Sequence, residues 1–330
     1  MKKSTLIRTF VIALLLVAPS MALAAGLTSS QVGAILGLLR AFNARESLIA
    51  SVADALVPSQ LADPLPAPVS SSTPVVPLTR PDTSGSPYTS GSLGYDLSFN
   101  TQNYPQIPFG FVVVGVTTGK AYAYNERARS EYSFAQFGSI RPTFYLNLNA
   151  PYGSTATSTN MNAPHACDAL FGAATTSTSA GGTYPEPTVC ASYNYGYNAA
   201  KGAYAYAAGA GVSAPLWWLD VEDANSWSPD VAVNDAVIQG AMDYLNDEGI
   251  RVGIYSVPRM WRDIAGDSFS LAQSFSGRSA ATPTWFPIGI ATEVGALNAC
   301  LTGSSLISGS PIWIIQYETD STAVDQNIAC

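Results

Sequence analysis

Two carboxylates end the apolar run Trp217-Trp218-Leu219-Asp220-Val221-Glu222. On a β-strand the i, i+2 spacing of Asp220 and Glu222 puts both side chains on one face. Acids at the end of a buried strand cost stability unless something uses them. A carboxylic acid that gives up a proton, paired with a second carboxylate, is the chemistry that breaks glycosidic bonds. Further groups stand at the ends of other apolar runs. Asp96 ends GYD, Tyr255 ends VGIY, and Gln316 with Tyr317 ends WIIQY.

Aromatic residues add to this pattern. The chain holds 6 Trp and 17 Tyr, and Tyr95, Trp218, Trp227, Trp261 and Trp313 lie in or near the expected strand ends. Sugar CH faces stack on such rings, while carboxylates and amides bind sugar hydroxyls. Competing chemistries find less support. A Ser-His-Asp site would need His165, which reads as a surface-loop residue beside Cys167 with no nucleophile elbow nearby. A zinc site is disfavoured by the cysteine spacings and the single histidine, so neither metal nor cofactor is expected.

The elements that must position these groups are legible as apolar runs. Strands are expected at 94–98, 109–116, 143–148, 216–221, 251–256, 284–291 and 311–317. Helices are expected at 194–209 and 235–248. Buried strands alternating with helices indicate an α/β protein with a parallel sheet. Roughly eight strands in such a length fit a (β/α) barrel of the triosephosphate-isomerase type. The competing open sheet lacks a glycine-rich phosphate loop after its first strand. In a barrel of this kind the carboxyl ends of the strands share one mouth, so residues distant in sequence can converge there.

Composition narrows the partners. Of 330 residues, 47% are apolar and 12% charged, enough for a sizeable core. The net charge of −8 and a pI near 4.6 argue against nucleic acid. Lys2, Lys3 and Arg8, the apolar stretch from Phe10 to Val17, and Ala22-Leu23-Ala24 read as an export signal over residues 1–25. The mature protein is then expected without a stable membrane span, secreted or in the cell envelope. Cys167, Cys190, Cys300 and Cys330 suggest two disulfides in an oxidising compartment, with sequence proximity favouring Cys167–Cys190 and Cys300–Cys330. Residues 28–57 carry apolar residues at helical spacing and read either as a helical unit able to contact the envelope or another protein, or as a spacer. Residues 58–92, dense in Pro, Ser and Thr, read as a linker to a domain spanning 93–330.

The segment from Gly94 onward resembles glycoside hydrolase family 25, the lysozyme-like muramidases, and is most similar to a secreted glycoside hydrolase-like branch of that barrel found in bacterial exported proteins. The resemblance lies in GYDLS, in WWLDVED followed by Ala224, Asn225 and Trp227, in VGIYS through Trp261, and in WIIQY followed by Val324-Asp325. It implies an irregular α/β barrel that cleaves the β-1,4 bond between N-acetylmuramic acid and N-acetylglucosamine in peptidoglycan. By the same resemblance Glu222 would be the general acid. Asp220 would orient the substrate acetamido group or stabilise the charged intermediate, with Asp96 in support. Asp325 stands where a late aspartate is expected, and Tyr255 and Tyr317 would line the sugar groove. The chain departs from the muramidases in ending its second strand Val116-Thr117-Thr118-Gly119 rather than with an acid, and in the polar insertion at 151–190. Three readings follow: a glycosidase acting on cell-wall glycan, a catalytically inactive barrel serving as a secreted glycan-binding or cell-surface protein, or a hydrolase for another polysaccharide.

Overall fold

Short apolar runs, buried on both faces, build the centre of the fold. In the computed structural model the described residues are 85–330, apart from 106–107, 180–181, 268, 270–273, 276–277, 280 and 320–324. The expected export segment, the helical unit at 28–57 and the linker up to residue 84 lie outside the described residues. Twelve strands are described: β1 (Leu93–Leu97), β2 (Phe111–Gly115), β3 (Thr143–Asn147), β4 (Phe171–Ser179), β5 (Gly182–Pro187), β6 (Leu216–Asp220), β7 (Arg251–Tyr255), β8 (Ser274–Phe275), β9 (Arg278–Ser279), β10 (Thr284–Ile290), β11 (Ile312–Glu318) and β12 (Gln326–Ala329). Eight of them close a barrel in the order β1-β12-β11-β10-β7-β6-β3-β2. Neighbours pair in parallel except at β12, which is antiparallel to both β11 and β1. The fold is therefore an irregular α/β barrel. The closing strand QNIA was not expected, because it is short and half polar and runs against the parallel pattern.

Side chains alternate across the barrel wall. Phe111, Val113, Tyr145, Trp218, Trp285 and Trp313 pack together in the interior. Their neighbours Val112, Val114, Phe144, Leu146, Trp217 and Leu219 face the surrounding helices. Trp218 and Trp285 meet edge to face at 5.7 Å, and Tyr255 lies 4.4 Å from Trp285. Gly253 makes room for this plug, since a Cβ there would stand 2.4 Å from the Trp218 ring. The interior is thus a dry aromatic floor beneath the strand ends.

Six helices are described: α1 (Ala128–Ala135), α2 (Ser158–Met161), α3 (Val189–Gly209), α4 (Val231–Asp247), α5 (Pro258–Ala265) and α6 (Glu293–Thr302). Helices α3 and α4 start earlier than their apolar spacing predicts. Thr188 caps α3 by accepting from the Ala191 amide, and Asp230 caps α4 by accepting from the Ala232 amide. The two helices touch backbone to backbone at Gly196 and Gly240. A Cβ on Gly240 would lie 2.1 Å from the Tyr193 carbonyl oxygen, and one on Gly196 1.9 Å from that of Val237. Gly240→Ala is accordingly expected to lower stability by roughly 2 kcal/mol, although Ala is the better helix former. Urea denaturation checks this, and an unchanged midpoint would contradict the close crossing.

Both disulfides pair as sequence proximity favours, Cys167 with Cys190 and Cys300 with Cys330. The first fastens the insertion after β3 to the start of α3. The second fastens α6 to the residue following β12. Sequence separations of 23 and 30 residues give each bridge about 3 kcal/mol through the unfolded chain. Among the described residues no helix is long and apolar enough to cross a membrane.

Candidate active site

Four carboxylates gather at the carboxyl ends of the strands. Asp220 is the last residue of β6 and points into the barrel, only 5% exposed. Its Oδ2 accepts a hydrogen bond from Asn147 Nδ2, its neighbour across the β3–β6 ladder. Its Oδ1 is buried with no hydrogen-bond partner among the described residues. Asn147 is itself held, since its Oδ1 accepts from Thr117 Oγ1 at 2.8 Å and from the Gly119 amide at 3.0 Å.

Asp96 reaches the mouth from β1. Its Oδ1 accepts from Gln316 Nε2 at 3.0 Å and from Asn327 Nδ2 at 2.6 Å. Gln316 Oε1 in turn accepts from the Tyr255 hydroxyl at 2.8 Å. Tyr255 sits beside Asp220 in the β6–β7 register. A continuous line of polar contacts therefore crosses the barrel from Asp96 through Gln316 to Tyr255. Asp325 precedes β12, and its carbonyl accepts from the Asp96 amide at 3.4 Å.

Glu222 lies just past the strand rather than on it. β6 ends at Asp220, and Val221 makes one more ladder contact, its amide donating to the Tyr255 carbonyl at 3.0 Å. The expected same-face strand pair is thus a strand-end aspartate followed by a loop glutamate. The loop is shaped by Trp227, whose indole Nε1 donates to the Glu222 carbonyl at 2.8 Å. Next to it, Asp223 forms an exposed ion pair with Arg259 at 2.6 Å.

The aromatic floor and the mutual proximity of these acids favour their neutral forms. Burial, then the charge of Asp325, pushes the Asp96 carboxyl up to about 8, against the pull of Gln316 and Asn327. Burial, with Glu222 and Asp96 beside it, raises Asp220 well above the carboxylate range. Glu222 is raised by burial, then by Asp223 and Asp325, while the nearby Tyr255 hydroxyl opposes the shift. Asp325 is raised by burial and by Glu318. Closely spaced carboxyls with raised pKa values can hold a proton at neutral pH and hand it to a basic oxygen.

Several groups expected at the groove lie elsewhere. Tyr95 neighbours Asp96 on β1, so it faces outward, edge-on to Phe109 at 6.0 Å. Tyr317 neighbours Gln316 and packs outside the barrel with Ala296 and Cys300, 1% exposed. Trp218 is fully buried in the floor, its Nε1 donating to the Tyr88 hydroxyl at 3.2 Å. Strand alternation explains Tyr95 and Tyr317, whereas Trp218 shares the inner face with Asp220 but lies one pleat deeper. Trp261 and Trp313 are likewise core residues, and His165 is an exposed loop residue with its ring 5.1 Å from Tyr193. The amides Asn147 and Asn327 were missed. Asn147 carried the same signal as the acids, a polar residue ending the apolar run TFYL.

Residues 126–276 match the family model described as Lysozyme-like protein 1, a stretch that includes Asp220, Glu222 and Tyr255 but neither Asp96 nor Asp325. No curated protein matches the chain. Among solved structures, a family GH25 lysozyme from Aspergillus fumigatus is 12% identical, covering 73% of this chain and 95% of that one with a TM-score of 0.44. The catalytic domain of endolysin ply40 from bacteriophage P40 of Listeria monocytogenes is 17% identical, covering 73% and 93% with a TM-score of 0.41. The glycosyl hydrolase 25 GHIP of Streptococcus pneumoniae is 16% identical, covering 72% and 86% with a TM-score of 0.42. Over residues 126–276, the segment that carries Asp220 and Glu222, the chain is similar to the Lysozyme-like protein 1 family.

Proposed function

We propose that the chain is an exported glycoside hydrolase that cleaves β-1,4 bonds of peptidoglycan by carboxylate acid catalysis. The observation that carries this reading is the gathering of Asp96, Asp220, Glu222 and Asp325 at one barrel mouth over a dry aromatic floor. Glu222 is the general acid. It stands at the solvent edge of the cluster, where it reaches a glycosidic oxygen, and its raised pKa favours the protonated form a general acid needs. Asp220, deeper in the barrel, orients the acetamido group of the sugar and, in its ionised form, stabilises positive charge at the ring. Asp96 holds the polar line through Gln316 and Tyr255 in register. Export is supported by the leader-like residues 1–25 and by the two disulfides.

A turbidity assay on purified peptidoglycan, run beside a pull-down on the same material, tests the proposal. Clearing is expected, with new reducing ends that borohydride converts to muramitol. Binding without clearing would instead favour the inactive, glycan-binding barrel. Within this mechanism Trp227 positions the acid through one hydrogen bond. Trp227→Phe is expected to lower kcat about tenfold with a stability loss of only about 1 kcal/mol. An unchanged kcat would remove the indole from the account.

A further inference from the structure

On the β2–β3–β6 side of the mouth lies a cavity of about 370 Å³, lined in part by Lys120, Asn149, Tyr152, Tyr184 and Asn225. None of these residues belongs to the acid cluster. The cavity adjoins that cluster through Asn147, which bonds Asp220 on one side and the Gly119 amide on the other. Its walls are the loops after β2, β3 and β6, with Tyr184 supplied by the β4–β5 hairpin of the insertion.

These walls are fastened to each other. The Ala121 amide donates to Asn149 Oδ1 at 2.9 Å, and the Ala150 amide to the Ser226 carbonyl at 2.8 Å. Tyr122, two residues past Lys120, sits at φ 63°, a region that costs an L-residue about 1–2 kcal/mol. Its hydroxyl donates to the Tyr195 carbonyl at 2.8 Å and holds the loop in that shape. The Tyr152 and Tyr184 rings stack at 5.8 Å and 28°, with Tyr152 buried and Tyr184 partly exposed to the cavity. The Cys167–Cys190 bridge ties the hairpin's base to α3. The cavity is therefore preformed.

Its charge differs from that of the neighbouring cluster. Lys120 is exposed, is the one charged side chain lining the cavity, and makes no ion pair among the described residues. The chain as a whole carries a net charge of −8. Among the side chains lining the cavity, Lys120 is the one that attracts an anionic group.

We propose that this cavity is a second glycan subsite, which takes a carboxylate-bearing sugar unit with its ring on Tyr184 and its carboxylate on Lys120. It deepens the peptidoglycan reading and rests on it, since the ether-linked carboxylate of a muramyl unit is a group of this class. Binding is measured by calorimetry on Glu222→Gln protein, which removes turnover. The probes are a tetrasaccharide of alternating N-acetylglucosamine and N-acetylmuramic acid and, as the neutral counterpart, chitotetraose. The charged ligand is expected to bind about fivefold more tightly than the neutral one. Adding Lys120→Gln abolishes that preference and Lys120→Arg retains it. Adding Tyr184→Ala weakens both ligands about tenfold. A preference that survives Lys120→Gln, or no preference at the start, overturns the subsite even if the wild type clears peptidoglycan. A Lys120-dependent preference in a protein that never clears supports the subsite while the hydrolytic reading fails.

Discussion

Glu222→Gln is expected to slow peptidoglycan clearing about a thousandfold and to leave the fold intact. The substitution keeps the shape of the side chain and removes only its transferable proton. A positioned general acid contributes roughly 10²- to 10⁴-fold, so about 4 kcal/mol of barrier lowering is at stake. Little stability should be lost, because the loop is held by the backbone contact with Trp227 rather than by the carboxyl. A neutral amide also relieves the like-charge crowding that raises Asp220. Thermal melting therefore shows an unchanged or slightly raised Tm, and the pull-down on peptidoglycan still succeeds. Undiminished clearing by the variant would remove Glu222 from the chemistry. Equal inactivity of wild type and variant, with binding retained, would identify a barrel that kept its acids and lost turnover.

Most of the barrel was legible because its strands are continuous apolar runs, the pattern of a sheet covered on both faces. FVVVG, LWWLD and IWIIQYE could be placed with no knowledge of what they pack against. The strand Gln326–Ala329 could not, since two amides in four residues carry no such signal. It is also the strand that supplies Asn327 to Asp96, so part of the site was hidden with it. The acids themselves were legible as polar residues where apolar runs stop. Which aromatics face the mouth was not, because a one-residue step along a strand reverses the face. Tyr95 and Tyr317 each neighbour a mouth residue and so point away from it. Trp218 shares the inner face with Asp220 but lies one pleat deeper, in the floor. The helix starts were misplaced for a different reason: apolar spacing marks where a helix is buried, whereas Thr188 and Asp230 begin theirs before burial does. The hairpin β4–β5 is polar and partly exposed, and only its disulfide announced that the insertion is ordered.

The buried acids should make the protein more stable in mild acid than in mild base. Asp96 carries the clearest case, with an ordinary value of 3.8 and a folded value of about 8. Below pH 4 both states hold the proton, and the group does not distinguish them. Between about pH 4 and 8 the unfolded chain releases the proton while the folded barrel retains it, so stability falls as pH rises. Above pH 8 the loss is complete. Full burial would put it at roughly 6 kcal/mol, and halving this for the water that reaches the mouth leaves about 3 kcal/mol. For a domain of this size that corresponds to a Tm lower by about 6–12 °C at pH 9 than at pH 5. Asp220, Glu222 and Asp325 are shifted in the same direction and add to the slope. Asp96→Asn keeps an oxygen for Gln316 and Asn327 but cannot ionise. It is expected to match the wild type near pH 4, to exceed it by about 3 kcal/mol at pH 9, and to clear peptidoglycan more slowly at every pH. That combination, gained stability with lost activity, is the mark of a group retained for chemistry at a cost to the fold. Loss of stability at every pH would instead make Asp96 a structural link between β1 and β12, and the site would shrink to the acids on the β6 side.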